Sequence, residues 1–275
     1  MTKKVAIQGE EASFHGIAAH QFFGNAIELV YCDTFSDTFA AVENGVADYA
    51  VCAIENSLFG SINQTYDLLV NYDFSIVGEV YLRIKQCLVT VPGASLSDIT
   101  EVYSHPVALA QCGDYLDANL PNAKRLEYRD TAASIAQVKA LQKKSVAGIG
   151  SQEAAEIYGM QVLAEEIETN QQNYTRFIVL ESKPRVVSDA DKTSLIVKTA
   201  HHPGALYDAL GAFAKHGINL SKLQSRPIIG KAWHYIFYVD IEESAQHPNF
   251  ELAIKELGQQ DCQVTILGSY KNDRH

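Results

Sequence analysis

Basic residues are scarce in this chain. It holds 22 lysines and arginines against 33 aspartates and glutamates, so its formal net charge is −11. This shortage argues against a nucleic-acid-binding protein and against one that docks on an anionic membrane surface. Net charge would not steer an anionic ligand toward the chain either. A site for such a ligand must therefore be locally positive.

Cysteines are also few, and no two of them form a Cys-x-x-Cys pair. An odd, unclustered set predicts buried free thiols in a reducing compartment, and we expect the cytoplasm. No group of His, Cys and Asp residues has the spacing of metal ligands, so we expect no metal. The five cysteines are Cys32, Cys52, Cys87, Cys112 and Cys262.

Long apolar runs are absent. No stretch approaches the roughly 20 residues that a membrane-spanning helix needs. The first residues lead directly into the strand pattern of residues 5–8, without the apolar core of a signal peptide. We therefore expect neither a membrane protein nor a secreted one.

The remaining composition is that of a globular protein with sizeable cores. Hydrophobic residues make up 47% of the 275 residues, and a chain of this length commonly folds as two domains. Over the first two thirds, short apolar runs such as residues 5–8, 27–31 and 49–54 alternate with helical patterns. This alternation predicts an α/β fold with a largely parallel sheet.

Several predicted helices in this part begin with a hydroxyl side chain. Helix N-termini expose N–H groups and a partial positive charge, and ligands of α/β sheets bind at the carboxyl ends of strands. The hydroxyl residues are therefore candidates for anion binding, although ordinary capping explains each one singly. They are Ser13, Ser61, Thr131 and Ser151.

A polar, proline-containing stretch over residues 184–192 predicts a linker. Residues 193–275 then follow the order strand, helix, strand, strand, helix, strand, which predicts a ferredoxin-like βαββαβ domain. Within it, Trp233, Tyr235, Phe237 and Val239 alternate as the buried face of a strand would. A sheet of this type often pairs with a second copy of itself, an expectation that rests on fold analogy.

The segment Asn173–Phe177 places a hydroxyl beside a guanidinium at the start of an apolar run. Arg binds carboxylates with a planar fork and stays charged at any working pH, so Thr175 and Arg176 suit an oxygen-rich anion. Taken alone, such a pair is more often part of an edge strand whose Arg forms a surface ion pair.

Motifs distributed along the whole chain resemble those of prephenate dehydratase. They are Ala41–Tyr49 with its Gly45, Glu55-Asn56-Ser57 followed by Gly60-Ser61, Ser104-His105-Pro106 with Gln111-Cys112, and Thr175-Arg176-Phe177. The resemblance implies a catalytic domain, residues 1–183, of two α/β lobes with a cleft, similar to periplasmic ligand-binding proteins. It also implies conversion of prephenate to phenylpyruvate, with loss of water and carbon dioxide and no cofactor, on the route to phenylalanine.

The resemblance assigns the catalytic assistance to Thr175. A Thr hydroxyl is a very weak acid, so we expect it to share its proton as the ring hydroxyl departs. Arg176 would hold a carboxylate or orient Thr175, and Phe177 would form an apolar wall. Glu55 and His105 remain open between catalytic and structural roles. The expected substrate-binding residues are Ser13, Asn56, Ser57, Ser61, Thr131, Asn173 and Phe177.

The second domain resembles an ACT regulatory domain, through Gly204-Ala205-Leu206 and Gln224-Ser225-Arg226-Pro227. In that family these elements bind phenylalanine between subunits, which implies a homodimer or homotetramer. Gln224 stands where the family has Glu, and it keeps an acceptor oxygen but carries no charge. The expected phenylalanine-binding residues are Gly204, Ala205, Leu206, Asn219, Leu220, Ser225, Arg226 and Pro227.

Two alternatives stay open. The substrate could be arogenate, the amino analogue of prephenate, because one sequence does not reveal which group the pocket prefers. The chain could also be a non-catalytic sensor of an aromatic ligand, although an intact Thr175-Arg176-Phe177 argues against it. Near the N-terminus, Ala12 and His15 depart from the usual family residues, Gly and Ser, while Ser13 keeps its hydroxyl.

Overall fold

The computed structural model describes residues 2–10, 12–183, 185 and 187–273, so parts of the predicted linker, residues 184 and 186, lie outside the described residues. Three sheets organise the chain. Two of them form the lobes of the predicted two-lobed α/β unit, and the third belongs to the C-terminal domain.

Lobe 1 is built on a mixed sheet in the order β2-β1-β3-β11-β5, with β4 beside β3. Its helices pack on both faces of the first strands, around apolar side chains such as Val5, Phe39 and Ile178. Its elements are β1 (Lys3–Gln8), α1 (Phe14–Phe23), β2 (Ile27–Cys32), α2 (Phe35–Glu43), β3 (Tyr49–Asn56), β4 (Gly60–Ser61), α3 (Asn63–Asn71), β5 (Ser75–Arg83) and β11 (Tyr174–Glu181).

Lobe 2 is built on a sheet in the order β10-β6-β9-β7-β8. The chain crosses from lobe 1 after β5 and returns before β11. The elements of lobe 2 are β6 (Cys87–Thr90), a 3-10 helix (Leu96–Asp98), β7 (Glu101–Ser104), α4 (Pro106–Gln111), α5 (Gly113–Asn119), β8 (Lys124–Glu127), α6 (Thr131–Leu141), β9 (Val146–Gly150), α7 (Gln152–Tyr158) and β10 (Gln161–Ala164).

The prediction of largely parallel sheets is wrong for about half of the strand pairs. In lobe 1, β1 runs parallel to β2 and β3, but β11 runs antiparallel to both β3 and β5. The cause is the double crossing between lobes. Because β5 ends at the crossing and β11 begins there, the two strands must run in opposite directions when they lie side by side. The start of β11 is thereby placed at the cleft.

The C-terminal domain has the predicted βαββαβ order and an antiparallel sheet, β13-β14-β12-β15. Lys192, predicted as the last linker residue, is instead the first residue of β12 and is buried. The elements are β12 (Lys192–Lys198), α8 (Ala205–Lys215), β13 (Leu220–Pro227), β14 (Tyr235–Ile241), α9 (Pro248–Gln259) and β15 (Gln263–Tyr270).

This sheet is covered on both faces. Helices α8 and α9 pack on one face, and on the other Tyr238 and Leu267 join the same apolar cluster as Ile76 and Ile178 of lobe 1. The backbones approach so closely that a Cβ on Gly268 would lie 2.0 Å from the carbonyl oxygen of Ile76. The C-terminal domain and lobe 1 therefore share a packed interface within one chain.

The predicted buried face of the third strand in this domain is wrong at two positions. Trp233 is 80% exposed and Tyr235 is 44% exposed, because β14 begins only at Tyr235. From Ile236 onward the strand is largely buried on both faces, one against the helices and one against lobe 1. An alternating pattern therefore could not identify its buried positions.

No helix in the described ranges is both long and apolar enough to cross a membrane, and the longest described one, α9, has 12 residues.

Candidate active site

A cleft of about 590 Å³ lies between the two lobes. This volume suits a small organic ligand. Side chains from both lobes and from the crossing segments line it. The polar ones that bear on the argument are Ser13, His15, Asn56, Ser61, Gln86, His105, Gln111, Arg129, Thr131 and Thr175.

Thr175 lines this cleft from the start of β11, directly opposite Asn56 on β3. The Asn56 amide orientation is fixed, because its Oδ1 accepts from the backbone N–H groups of Leu58 and Phe59 at 3.0 Å. Its Nδ2 therefore faces Thr175 Oγ1 at 3.1 Å and donates to it. Since the Thr175 oxygen accepts this bond, the hydroxyl proton is left to donate toward a ligand.

Arg176 points away from the cleft. Successive side chains leave a strand on opposite faces, so Thr175 and Phe177 line the cleft and Arg176 does not. The prediction that Arg176 holds a substrate carboxylate is therefore wrong. Its guanidinium instead meets Glu79 Oε2 at 2.7 Å and Asp240 Oδ2 at 2.5 Å.

The cluster around Arg176 crosses into the C-terminal domain. Burial opposes its charge, but Asp240, the Tyr270 hydroxyl and Glu79 together hold the Arg176 pKa well above its usual value. Lys192 also binds Glu79, at 2.8 Å. Burial opposes ionisation of Asp240 too, yet Arg176 and Lys192 keep the pKa of that carboxyl below its usual range. The two cations and the two carboxylates of the cluster are thus paired at a buried domain junction.

Two further predicted ligand-binding residues support the site without lining it. Asn173 is fully buried, and its Oδ1 accepts from Asn56 Nδ2 at 2.8 Å and from Gln111 Nε2 at 3.4 Å. Ser57 Oγ donates to the Gln172 carbonyl at 2.7 Å and accepts from the backbone N–H of Tyr174 at 2.9 Å. Both residues fix the loop that presents Thr175. Neither belongs to the described lining of the cleft, and direct binding of the substrate by them stays a prediction.

The hydroxyl residues predicted at helix starts fall into two groups. Ser13 and Ser151 are true N-caps, of α1 and α7. Thr131 is the first residue of α6, whose cap is Asp130. Ser61 lies in β4, so its prediction as a helix start is wrong. Ser13, Ser61 and Thr131 line the cleft as expected, while the described lining does not include Ser151.

Both histidines of the cleft are neutral near pH 7. Burial lowers the pKa of His15 to about 4, and its Nε2 accepts from the backbone N–H of Ala53 at 3.3 Å. The same ring meets the Phe177 ring edge-on, with centroids 5.0 Å apart. Burial also lowers the pKa of His105, whose Nδ1 accepts from the N–H of Val107 as the cap of α4. The geometry favours a structural role for His105.

Several lining residues were missed at the sequence level, and three of them bear on the site. Gln111 belongs to the Gln-Cys motif but was not assigned a role, and its amide continues the chain of amides that runs through Asn173 to Asn56. Gln86 and Arg129 carried no local pattern, because only the crossing between lobes and the loop before α6 bring them to the cleft. Among the described residues, no group of three or more metal-ligating side chains comes together.

Comparison with known proteins matches this architecture along the whole chain. A family model described as prephenate dehydratase matches residues 5–185, and one described as ACT domain matches residues 193–259. A bifunctional chorismate mutase/prephenate dehydratase of Aquifex aeolicus is 39% identical, over 97% of this chain and 73% of the relative. Arogenate dehydratase 4, chloroplastic, of Arabidopsis thaliana is 37% identical, over 98% of this chain and 68% of the relative.

The chain belongs to the prephenate dehydratase family.

Solved structures share this architecture over nearly the whole chain. A prephenate dehydratase from Arthrobacter aurescens in complex with L-Phe has a TM-score of 0.89 and 32% identity, covering 98% of this chain and 90% of that one. A chain titled GqqA, a novel type of quorum quenching acylases, has a TM-score of 0.88 and 31% identity, covering 98% of each chain. As a member of the prephenate dehydratase family, the chain is an enzyme of the carbon–oxygen lyase class.

The family's regulatory elements lie beside a second, smaller cavity of about 160 Å³, which Ala205, Leu206 and Ile228 help to line. Gly204 caps α8 with a φ of +91°, a conformation that favours glycine. Asn219 and Leu220 lie at the other end of β13, roughly 25 Å from Pro227 at about 3.3 Å per residue. Within one chain, the expected phenylalanine-binding residues therefore form two separate groups.

Strand β13 also connects the regulatory domain to the lining of the cleft. Lys222 Nζ lies 2.5 Å from Glu55 Oε1, so Glu55 is a paired carboxylate beside Asn56. Gln224 Oε1 accepts from Ser61 Oγ at 2.6 Å. Arg226, expected to bind phenylalanine with Ser225 and Pro227, forms two hydrogen bonds with Asp67 of α3, at 2.9 and 2.6 Å.

Proposed function

We propose that the chain converts prephenate to phenylpyruvate. The observation that carries this proposal is the Thr175 hydroxyl, which accepts from Asn56 and keeps its proton available inside a cleft of suitable size. Relatives named as prephenate dehydratases, similar over nearly the whole chain, support the same reaction.

The reaction itself needs positioning more than covalent chemistry. The ring carboxylate leaves as carbon dioxide, the electrons of its C–C bond move into the ring, and the C–O bond to the ring hydroxyl breaks. One proton is consumed, because the departing hydroxide becomes water, and the ring becomes aromatic. Thr175 shares its proton with the departing oxygen as charge develops and regains one from solvent. Phe177 and the neutral His15 form an apolar wall beside it.

We also propose that L-phenylalanine binds the regulatory domain and inhibits the enzyme. The Arthrobacter structure is a complex with L-Phe, and here Ala205 and Leu206 line a cavity in the domain that the ACT family model matches. Two connections could carry the effect to the cleft. One is the Arg176 cluster beside Thr175, and the other is the pair of contacts from Lys222 and Gln224 to Glu55 and Ser61.

A homodimer or homotetramer would complete the phenylalanine site. The separation of Leu206 from Leu220 along one chain supports a site that two chains share. Tyr207, Ile229 and Trp233 neighbour the cavity residues in sequence and are each at least 80% exposed, which is unusual for large apolar side chains. We propose that a second copy covers them.

We further propose residues 1–183 as the catalytic domain, 184–191 as the linker and 192–275 as the regulatory domain, because Lys192 already begins β12. The cytoplasm is the proposed location, supported by five cysteines that are all free thiols.

One assay tests the function and its alternatives. Purified protein should release phenylpyruvate from prephenate, with a larger kcat/KM than it shows for arogenate, and phenylalanine should lower the rate. A larger kcat/KM for arogenate would reassign the substrate, as the name of the Arabidopsis relative allows. Binding of prephenate without turnover would favour the sensor. Calorimetry with phenylalanine should show binding that Gly204→Trp abolishes, and absence of heat at millimolar ligand would contradict the regulation.

A further inference from the structure

Arg129 is the only lysine or arginine among the described residues that line the cleft. The proposed substrate carries two carboxylates, so the cleft needs positive charge despite a net charge of −11. Arg176 cannot supply it, because its guanidinium is buried on the other face of β11. His15 and His105 are neutral near pH 7. Arg129 is therefore the permanent cation that faces a ligand there.

The position of Arg129 links the two lobes. It lies between β8 and α6 of lobe 2, and its Nη2 contacts Glu10 Oε1, in the loop before α1 of lobe 1. Oxygens of Asp33 and Asp130 lie 4.0 Å from its other nitrogens. Asp130 is otherwise engaged, since its Oδ1 caps α6 by accepting from the N–H of Ala133.

The contact with Glu10 is one that a ligand can replace. The Arg129 side chain is 59% exposed, and exposed ion pairs are weak because water screens them. A guanidinium offers five N–H donors in a planar fork, and Glu10 occupies only part of it. A ligand carboxylate in the cleft can take the place of Glu10 or bind beside it.

We propose that Arg129 binds the side-chain carboxylate of the substrate, an inference that rests on the proposed function. The choice between the two carboxylates follows from the chemistry. The ring carboxylate must lose its charge as carbon dioxide leaves, so a cation held against it would stabilise the ground state more than the transition state. The side-chain carboxylate keeps its full charge throughout. A cation there contributes equally to both states and lowers KM with little effect on kcat.

The test compares Arg129→Gln and Arg129→Lys with Arg125→Gln as the matched control. Arg125 is an arginine four positions earlier that pairs with Asp117 and does not line the cleft. Arg129→Gln should raise KM for prephenate about tenfold or more and leave kcat within about threefold. Arg129→Lys should recover part of the loss, because it keeps the charge without the fork. Arg125→Gln should behave as wild type.

Calorimetry with phenylpyruvate separates this inference from the proposed function, because phenylpyruvate keeps the side-chain carboxylate and needs no turnover. Suppose that the wild-type protein shows no turnover but binds phenylpyruvate, and that Arg129→Gln weakens this binding tenfold. This result would contradict the proposed function and support Arg129 as the carboxylate-binding residue. Wild type with turnover, and an Arg129→Gln variant with unchanged KM and unchanged phenylpyruvate binding, would overturn the role of Arg129 alone. If the wild-type protein neither turned over prephenate nor bound phenylpyruvate, both the proposed function and the role of Arg129 would be contradicted. If Arg129→Gln lowered kcat and left KM unchanged, the proposed role of Arg129 in binding the side-chain carboxylate would also be contradicted.

Discussion

Thr175 and Arg176 are neighbours in sequence whose side chains serve different domains. Thr175 Oγ1 accepts from Asn56 in the cleft, while the Arg176 guanidinium reaches Asp240 in the regulatory domain, 2.5 Å away. The separation follows from the alternation of side chains along β11. One short motif thus contributes both to the proposed chemistry and to the junction between the domains.

Removal of the Thr175 hydroxyl should abolish most of the activity. Thr175→Ala should fold normally, because the side chain is small and makes one amide contact, and should lower kcat by roughly 10²–10⁴, the usual worth of a proton-transferring group. Thr175→Ser is the matched control, since it keeps the hydroxyl and should retain far more activity. Steady-state kinetics with prephenate measures both. An alanine variant with nearly wild-type turnover would remove Thr175 from the mechanism.

Loss of the Arg176 charge should destabilise the whole chain. Arg176→Met would leave Glu79 and Asp240 buried and short of a partner, which typically costs about 3–5 kcal/mol. Arg125→Met breaks an exposed pair with Asp117 and should cost less than about 1 kcal/mol. Urea unfolding followed by circular dichroism compares the two variants. Equal midpoints would show that the buried cluster contributes no more than a surface pair.

The direction of the Arg176 side chain marks the limit of what the sequence predicts here. Alternating strand and helix patterns, capping residues such as Ser13 and the βαββαβ order all depend on neighbours in sequence, and the structure agrees with them. The direction of Arg176 depends on which face of β11 meets the cleft. Adjacent residues of a strand face opposite sides of the sheet. Only the packing of the C-terminal sheet against lobe 1 decides which residues of β11 face the cleft and which face the C-terminal domain.

The same limit applies to Trp233 and to the cleft residue Arg129. Period-two alternation identifies a buried face only when the other face is solvated, and β14 is packed on both sides beyond its first residue. Arg129 lies in a loop, and it lines the cleft because lobe 2 packs beside lobe 1. The exposure of Trp233 and the location of Arg129 both depend on tertiary packing, which leaves no local sequence pattern.

The packed junction between domains should tolerate no side chain at Gly268. In Gly268→Ala the new Cβ would lie 2.0 Å from the Ile76 carbonyl oxygen, so the C-terminal sheet must shift away from lobe 1. We expect a lower thermal midpoint and weaker inhibition by phenylalanine. Gly258→Ala is the matched control, because that glycine lies in α9 with open space around it and should gain about 0.5–1 kcal/mol. Gly268→Ala with wild-type stability would contradict the close contact.

The neutral state of His15 should make the folded chain sensitive to acid. Its pKa is lowered by burial from 6.5 to about 4, so between these values the unfolded chain binds a proton that the folded chain does not. Stability therefore rises with pH in this window and is lost as pH falls from about 6.5 toward 4. The loss is at most about 3 kcal/mol, and less in practice because the ring is only partly buried. Protonation of Nε2 would also end its hydrogen bond from Ala53.

A substitution isolates this contribution. His15→Asn cannot titrate in this range, so its unfolding free energy should fall less than that of wild type when urea melts at pH 7 and pH 4.5 are compared. At pH 7 the variant should be the less stable of the two, because it loses the ring contact with Phe177. The gap between the two proteins should narrow as the pH falls. If both proteins lost the same free energy between pH 7 and pH 4.5, His15 would not titrate as its surroundings require.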